Sequence, residues 1–238
     1  MSNEMVNTAA GTVPDPSRAV DLGLPSGTKW APWNVGASRP SEPGGYFAWG
    51  ETTADKRDEN GNPWYYWDNY KFISDRSGDP DDMWKHINKY QVDDGRDGTD
   101  WFDFVFIGDG KKTLDPEDDA ATANWGWQWK MPTVEQFQEL LAPKNCIWEW
   151  KQRDDGTAGY VVTSLRNGNR IFLPAAGARW KAKLNYFGSI GEYWSSELYE
   201  GYSYDARDLY FYHNGRNVSS DYGRCGGRSV RPVLVSAE

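Results

Sequence analysis

The residues able to do chemistry in this 238-residue chain are unevenly supplied. It has two cysteines, Cys146 and Cys225, and two histidines, His86 and His213. A zinc site needs closely spaced Cys or His ligands and a disulfide framework needs more cysteines, so these residues point to neither. The histidines lie in unrelated segments without a nucleophile motif, which argues against a hydrolase. Carboxylates are plentiful, 35 Asp and Glu against 26 Lys and Arg. Asp79, Asp81 and Asp82, or Asp115, Glu117, Asp118 and Asp119, offer the oxygen ligands that Ca²⁺ prefers. A structural calcium ion would bind at such a group, although clustered acids equally serve as a solvated face or a helix start. No other cofactor is expected.

The densest chemistry is aromatic. Between Tyr199 and Gly227 stand six tyrosines: Tyr199, Tyr202, Tyr204, Tyr210, Tyr212 and Tyr222. Tyr and Arg make good contact anchors, with large rigid area, low entropic cost and a polar end. Alternation along a strand through 209–212 turns Leu209 and Phe211 to one face and Tyr210 and Tyr212 to the other. Trp194, Leu209, Phe211 and Val230 are expected in the core. The expected ligand-binding set is Tyr199, Tyr202, Tyr204, Arg207, Tyr210, Tyr212, His213, Asn214, Asn217, Ser219, Asp221, Tyr222, Arg224 and Cys225, of which the six tyrosines, Arg207 and Arg224 are expected to cluster on one exposed face.

The elements that must position these residues follow from turn and capping signals. Residues 1–18, with Pro14 and Pro16, read as a tail or linker, and 19–238 as a single domain. The stretch 52–112 is acidic and rich in turn signals, and reads as a long insertion packed down by Trp64, Trp67, Trp84 and Trp101. Thr133 and Gln136 form a capping box for a helix over about 133–142, which carries Val134, Phe137, Leu140 and Leu141 as an apolar stripe and stops at Pro143. A second helix is expected to start at Pro116 with Asp115 as its cap. Asn167-Gly168 and Asn214-Gly215 each mark a tight hairpin. A last strand at 229–233 holds Pro232 at an edge or bulge. Few helices and many short antiparallel strands make an α+β domain.

Bulk properties narrow the partners. The net charge of −9 and pI near 4.8 disfavour nucleic acid and anionic membranes. No apolar run is long enough to insert in a bilayer. Mean hydropathy is low at −0.81, yet 16% of residues are aromatic, as expected for polar loops around an aromatic core rather than a disordered chain. The opening segment lacks the basic and apolar regions of a signal peptide.

Eight blocks occur in order: Val20–Pro25, Trp33–Ala37, Tyr46–Thr53, Leu114–Ala121, Met131–Thr133, Ile171–Gly177, Tyr193–Ser196 and Ser229–Val233. Together they resemble the Bacteroidetes-type major paralogous domain proteins, which share the C-type-lectin-like fold of formylglycine-generating enzymes. Several members are variable proteins of diversity-generating retroelements. The match spans about 20–235, but departs from the family at Trp33, where a Cys usually precedes Asn-Val-Gly-Ala. The resemblance implies a non-enzymatic receptor-binding protein, displayed on a phage virion or a bacterial cell surface, whose ligand is a protein or glycan. Adenine mutagenesis of an Asn-type codon yields Tyr, Ser, Asp or Arg but not Lys, Gln, Glu, Trp or Met. From Tyr199 to Gly227 only Glu200 breaks that rule. The alternative is an undiversified adhesion or carbohydrate-binding domain on the same scaffold. An oxidase of the formylglycine-generating type is disfavoured because it needs two neighbouring redox cysteines, and a calcium-dependent lectin because the Glu-Pro-Asn and Trp-Asn-Asp sugar motifs are missing.

Overall fold

The computed structural model describes residues 11–92, 108–219 and 223–235. Their architecture is α+β, built of small antiparallel sheets joined by long irregular segments. Val20–Asp21 (β1) and Lys29–Trp30 (β2) form a hairpin. Trp129–Lys130 (β3) joins them through the C-terminal strand Val233–Leu234 (β12), in the order β1-β2-β12-β3. Cys146–Gln152 (β4), Ala158–Ser164 (β5) and Arg170–Pro174 (β6) make a second sheet. Ala178–Trp180 (β7) and Lys183–Asn185 (β8) form a separate hairpin. Ile190–Leu198 (β9), Ala206–Tyr212 (β10) and Gly215–Ser219 (β11) form the sheet carrying the tyrosine-rich segment, with β10 central.

Two α-helices stand among the described residues. Ala120–Trp125 (α1) is capped by Asp119, whose carboxylate accepts from the backbone amides of Ala121 and Thr122. Val134–Leu141 (α2) has the full capping box between Thr133 and Gln136 and buries Phe137 and Leu140. Pro116 does not open a regular helix: it starts a three-residue 3-10 turn without a side-chain cap from Asp115, and the α-helix begins four residues later. Asp119 wins because it bonds two amides at once and also accepts from Met131 N.

Both hairpins form, with turns other than those expected. β5 and β6 are joined by the five-residue loop 165–169, where Ser164 Oγ accepts from the Arg166 and Asn167 amides. Between β10 and β11 the turn is His213-Asn214, because Gly215 already pairs with Tyr212. A side chain at position 215 would start 2.8 Å from the Tyr212 ring, so glycine is used here for close approach and not for turn geometry. The last strand starts after Pro232 and lies inside its sheet. The proline needs no amide there, and its carbonyl accepts from Ala31 N at 2.8 Å.

The core has two parts. One, around α2, β5 and β10, contains Trp30, Phe137, Cys146, Tyr160, Tyr193, Leu209 and Phe211. The larger contains Trp33, Phe47, Trp49, Trp129, Trp194 and Val230, and draws heavily on 65–92. That region, expected as an insertion, is core-forming irregular chain. Two of its rings are anchored through hydroxyls that donate to backbone carbonyls, Tyr65 to Tyr46 and Tyr70 to Trp49 at 2.6 and 2.7 Å. Edge-to-face contacts link Trp67, Tyr70, Phe72, Tyr90 and Trp49 in series. Residues 12–18, expected as a tail, are seated on the domain: Trp33 Nε1 donates to Thr12 O and Arg18 lies over the Trp33 ring. Trp101 lies outside the described residues.

Candidate binding face

β10 alternates as its sequence requires. Leu209 and Phe211 are completely buried, as are Trp194 and Val230. The Phe211 ring stacks on Tyr193 and meets Tyr160 edge-on. The opposite face is graded. Asp208 is buried beside Arg228, which also pairs with Glu192 at 2.6 Å and covers the Trp194 ring at 3.9 Å. Tyr210 is half-buried, its hydroxyl pushed up by burial and then by the Glu192 charge. Only Tyr212 reaches 40% exposure. With His213 at the turn it forms an aromatic cap that also touches Trp150. Asn214 and Asn217 are exposed beside it.

The other tyrosines lie in and beside the β9–β10 connection, as a row. Arg207 lies 4.7 Å over the Tyr199 ring, Tyr199 contacts Tyr202, Tyr202 contacts Tyr204, and Tyr204 meets Trp84 at 4.9 Å. The ring contacts thus fall into two groups, the row and the hairpin cap, where a single face was expected.

The row ends in a cleft of about 470 Å³ walled by Trp67, Trp84, Trp180 and Tyr204, with Asp81 and Asp205 as its carboxylates. Asp81 sits in the 3-10 turn Pro80–His86, capped by Asp79, and accepts from Tyr66 Oη at 2.5 Å. Trp180 ends β7 and meets Tyr66 edge-on. Gly223 forms part of the lining. A Cβ there would start 2.9 Å from Trp67 and 3.4 Å from Trp180, so glycine leaves the space between two indoles open. Among the described residues of the expected set, only Tyr204 lines this cleft. Trp67 and Trp84 were expected only as packing residues. The sign available in the sequence was the density of Trp and Tyr through 64–84 beside Asp79, Asp81 and Asp82.

Arg224 and Cys225 are corrections to the expected set, for both are buried. Arg224 donates to the Tyr90 and Lys89 carbonyls at 2.7 and 2.5 Å and lies among the rings of Trp49, Tyr70 and Phe72. It fastens 65–92 to the C-terminal segment at Tyr90, whose backbone is in a left-handed conformation (φ +58°). Burial lowers its affinity for the proton. Cys225 is in the larger core, where burial pushes its thiol well above the usual range, which favours the protonated, unreactive form. Cys146 is in the other core, so the two thiols form no redox pair. Ser219 is also buried, a further correction, because it ends β11 opposite buried Asp208. Asp221 and Tyr222 lie outside the described residues.

Asp115, Glu117 and Asp118 bring oxygens together as a cation would require. The charge is met from within the chain. Lys89 Nζ lies 2.8 Å from Asp115, 2.5 Å from Asp118 and 3.8 Å from Glu117. Lys111 adds to Asp115 and Lys71 to Asp118. Hydrogen bonds from Lys111 and Lys89 lower Asp115 to about 2. Burial alone would raise Asp118, but its partners Lys71, Lys89 and Tyr90 outweigh that and hold it low. Three ammonium groups therefore supply the neutralisation that an ion would supply, and the donor set does not fit a resident calcium ion well. Asp119 is spent on capping α1.

Comparisons of the chain with protein-family models, with curated proteins and with solved structures return no match.

Proposed function

We propose that this chain is a non-enzymatic binding module with a C-type-lectin-like fold, whose ligand contacts come from the tyrosine row and the cleft at its end. The observation that carries the reading is the row itself: Arg207, Tyr199, Tyr202, Tyr204 and Trp84 make successive ring contacts on partly exposed chain. Amphipathic rings at such a position give large contact area at low entropic cost. The residue usage between Tyr199 and Gly227 supports diversification by adenine mutagenesis, and the ordered sequence blocks support the scaffold. The partner under this reading is a protein or glycan on a cell surface, and the chain is displayed by a phage or a bacterium.

The test is a triple variant, Tyr199→Ser, Tyr202→Ser and Tyr212→Ser, assayed for adhesion to bacterial cells that the parent binds. It should melt within a few degrees of the parent and lose adhesion. Retained adhesion would remove the tyrosines from the binding face. Sequencing the flanking DNA tests diversification separately: a reverse transcriptase and a near-copy of the 197–233 coding segment are expected.

A further inference from the structure

We propose that the cleft walled by Trp67, Trp84, Trp180 and Tyr204 receives an organic cation, an ammonium or guanidinium group. This deepens the binding reading above and rests on it. The walls are not a flat platform. Trp84 and Tyr204 meet at an interplanar angle of 64°, and Trp180 meets Tyr66 behind it at 86°. Rings inclined in this way turn several faces and edges toward one volume, whereas a sugar ring stacks best on a single broad face. The faces of indole and phenol rings carry the negative end of the ring quadrupole and attract cations.

The polar groups agree. Among the described residues the two charged lining side chains, Asp81 and Asp205, are carboxylates, and an ionised carboxylate only accepts. Among the described lining side chains, donors are confined to indole N–H and phenol O–H groups. A polyhydroxylated ligand needs donors and acceptors in comparable supply, an anion needs donors, and a cation needs neither beyond acceptors and π faces. The molecule already uses one adjoining ring and one wall this way: Lys181 Nζ lies 4.1 Å from the Tyr66 ring centre and Lys85 Nζ 5.5 Å from that of Trp84. Lys85 is further engaged by Asp82 at 2.6 Å.

The cation can come from a free quaternary amine or from a Lys or Arg side chain of a protein ligand, and the probes separate the two. Indole N–H resonances of the full chain are followed by NMR during titration with choline, with its neutral isostere 3,3-dimethylbutan-1-ol, with Nα-acetyl-lysine amide and Nα-acetyl-arginine amide, and with methyl glucoside, all at constant ionic strength. A cation should shift the Trp84 and Trp180 signals saturably in the millimolar range, and the neutral isostere should bind at least about fivefold more weakly. Choline ahead of the amides identifies a free amine, and the amides at or ahead of choline identify a side chain. Asp81→Asn, at an exposed position, should keep the parent melting temperature, Trp84→Phe should lower it by a few degrees, and each should weaken cation binding severalfold. Equal binding of the neutral isostere, binding of the glucoside without choline, or unshifted indole signals would each overturn the proposal. Adhesion lost in the tyrosine variant while choline fails to bind would sink the cation alone and leave the binding-module reading standing.

Discussion

The Tyr204 ring meets that of Trp84 at 4.9 Å and 64°, joining the tyrosine-rich segment to a region 120 residues earlier in the chain. Tyr204 is therefore both a wall of the cleft and a packing residue of the larger core. Tyr212 is neither, and stands exposed at the hairpin end. Tyr212→Ser should change stability by within about 0.5 kcal/mol, and Tyr204→Ser should cost about 1–2 kcal/mol. Urea unfolding of the two single variants measures the difference, and equal values would contradict it.

Phe211 carries a different load. It fills the space between Tyr160, Trp148 and Tyr193 and is completely buried. Phe211→Ala should destabilise the domain by about 3–5 kcal/mol, lowering the melting temperature by roughly 10 °C. An unchanged melting temperature would refute the face assignment of β10.

Both cysteines are free and buried. Two thiols should titrate in denaturant without reductant, and neither should react quickly in the native protein. Burial pushes Cys146 up to about 11 and Cys225 well above the usual range. A folded-state pKa above the unfolded one means the stabilisation is present below about pH 8.5 and is lost as pH rises toward 11. The buried hydroxyls of Tyr46, Tyr65 and Tyr70, raised mainly by desolvation, add in the same direction. The Cys146 contribution is on the order of 2 kcal/mol by pH 11. Denaturation midpoints at pH 8 and 10.5 should fall accordingly, and Cys146→Ala should reduce the fall.

The Lys89 cluster acts at the other end of the pH scale. Asp115 and Asp118 are held low by lysine partners, so their stabilisation is present above about pH 4 and is lost as pH falls toward 2. Lys89→Met should lower the melting temperature at pH 5 and have a smaller effect at pH 2.5. Because lysines already neutralise the cluster, millimolar calcium or a chelator should leave the parent melting temperature unchanged. A calcium-dependent rise of several degrees would show that an ion binds the folded state after all.

Local rules written in the sequence decided the parts of this protein that obey a period or a cap. The Thr133–Gln136 box and its apolar stripe gave α2, and the 209–212 alternation gave the buried face of β10. The exposure of Tyr212, His213, Asn214 and Asn217 followed from the same hairpin. Residues 65–92 carry no such period, since their tyrosines are fixed one at a time by hydroxyls that reach the carbonyls of Tyr46 and Trp49 or the carboxylates of Asp81 and Asp118. Only the folded chain shows them as core. Arg224 has the same composition-level credentials as Arg207, yet one is sealed among Trp49, Tyr70 and Phe72 while the other lies over Tyr199 near the surface. What separates them is which carbonyls and rings come within reach after packing, and that depends on Tyr90, Lys89 and Trp49 far away in the chain. The cleft is likewise a tertiary product, because its walls come from four separate segments and a glycine whose emptiness has meaning only between two indoles.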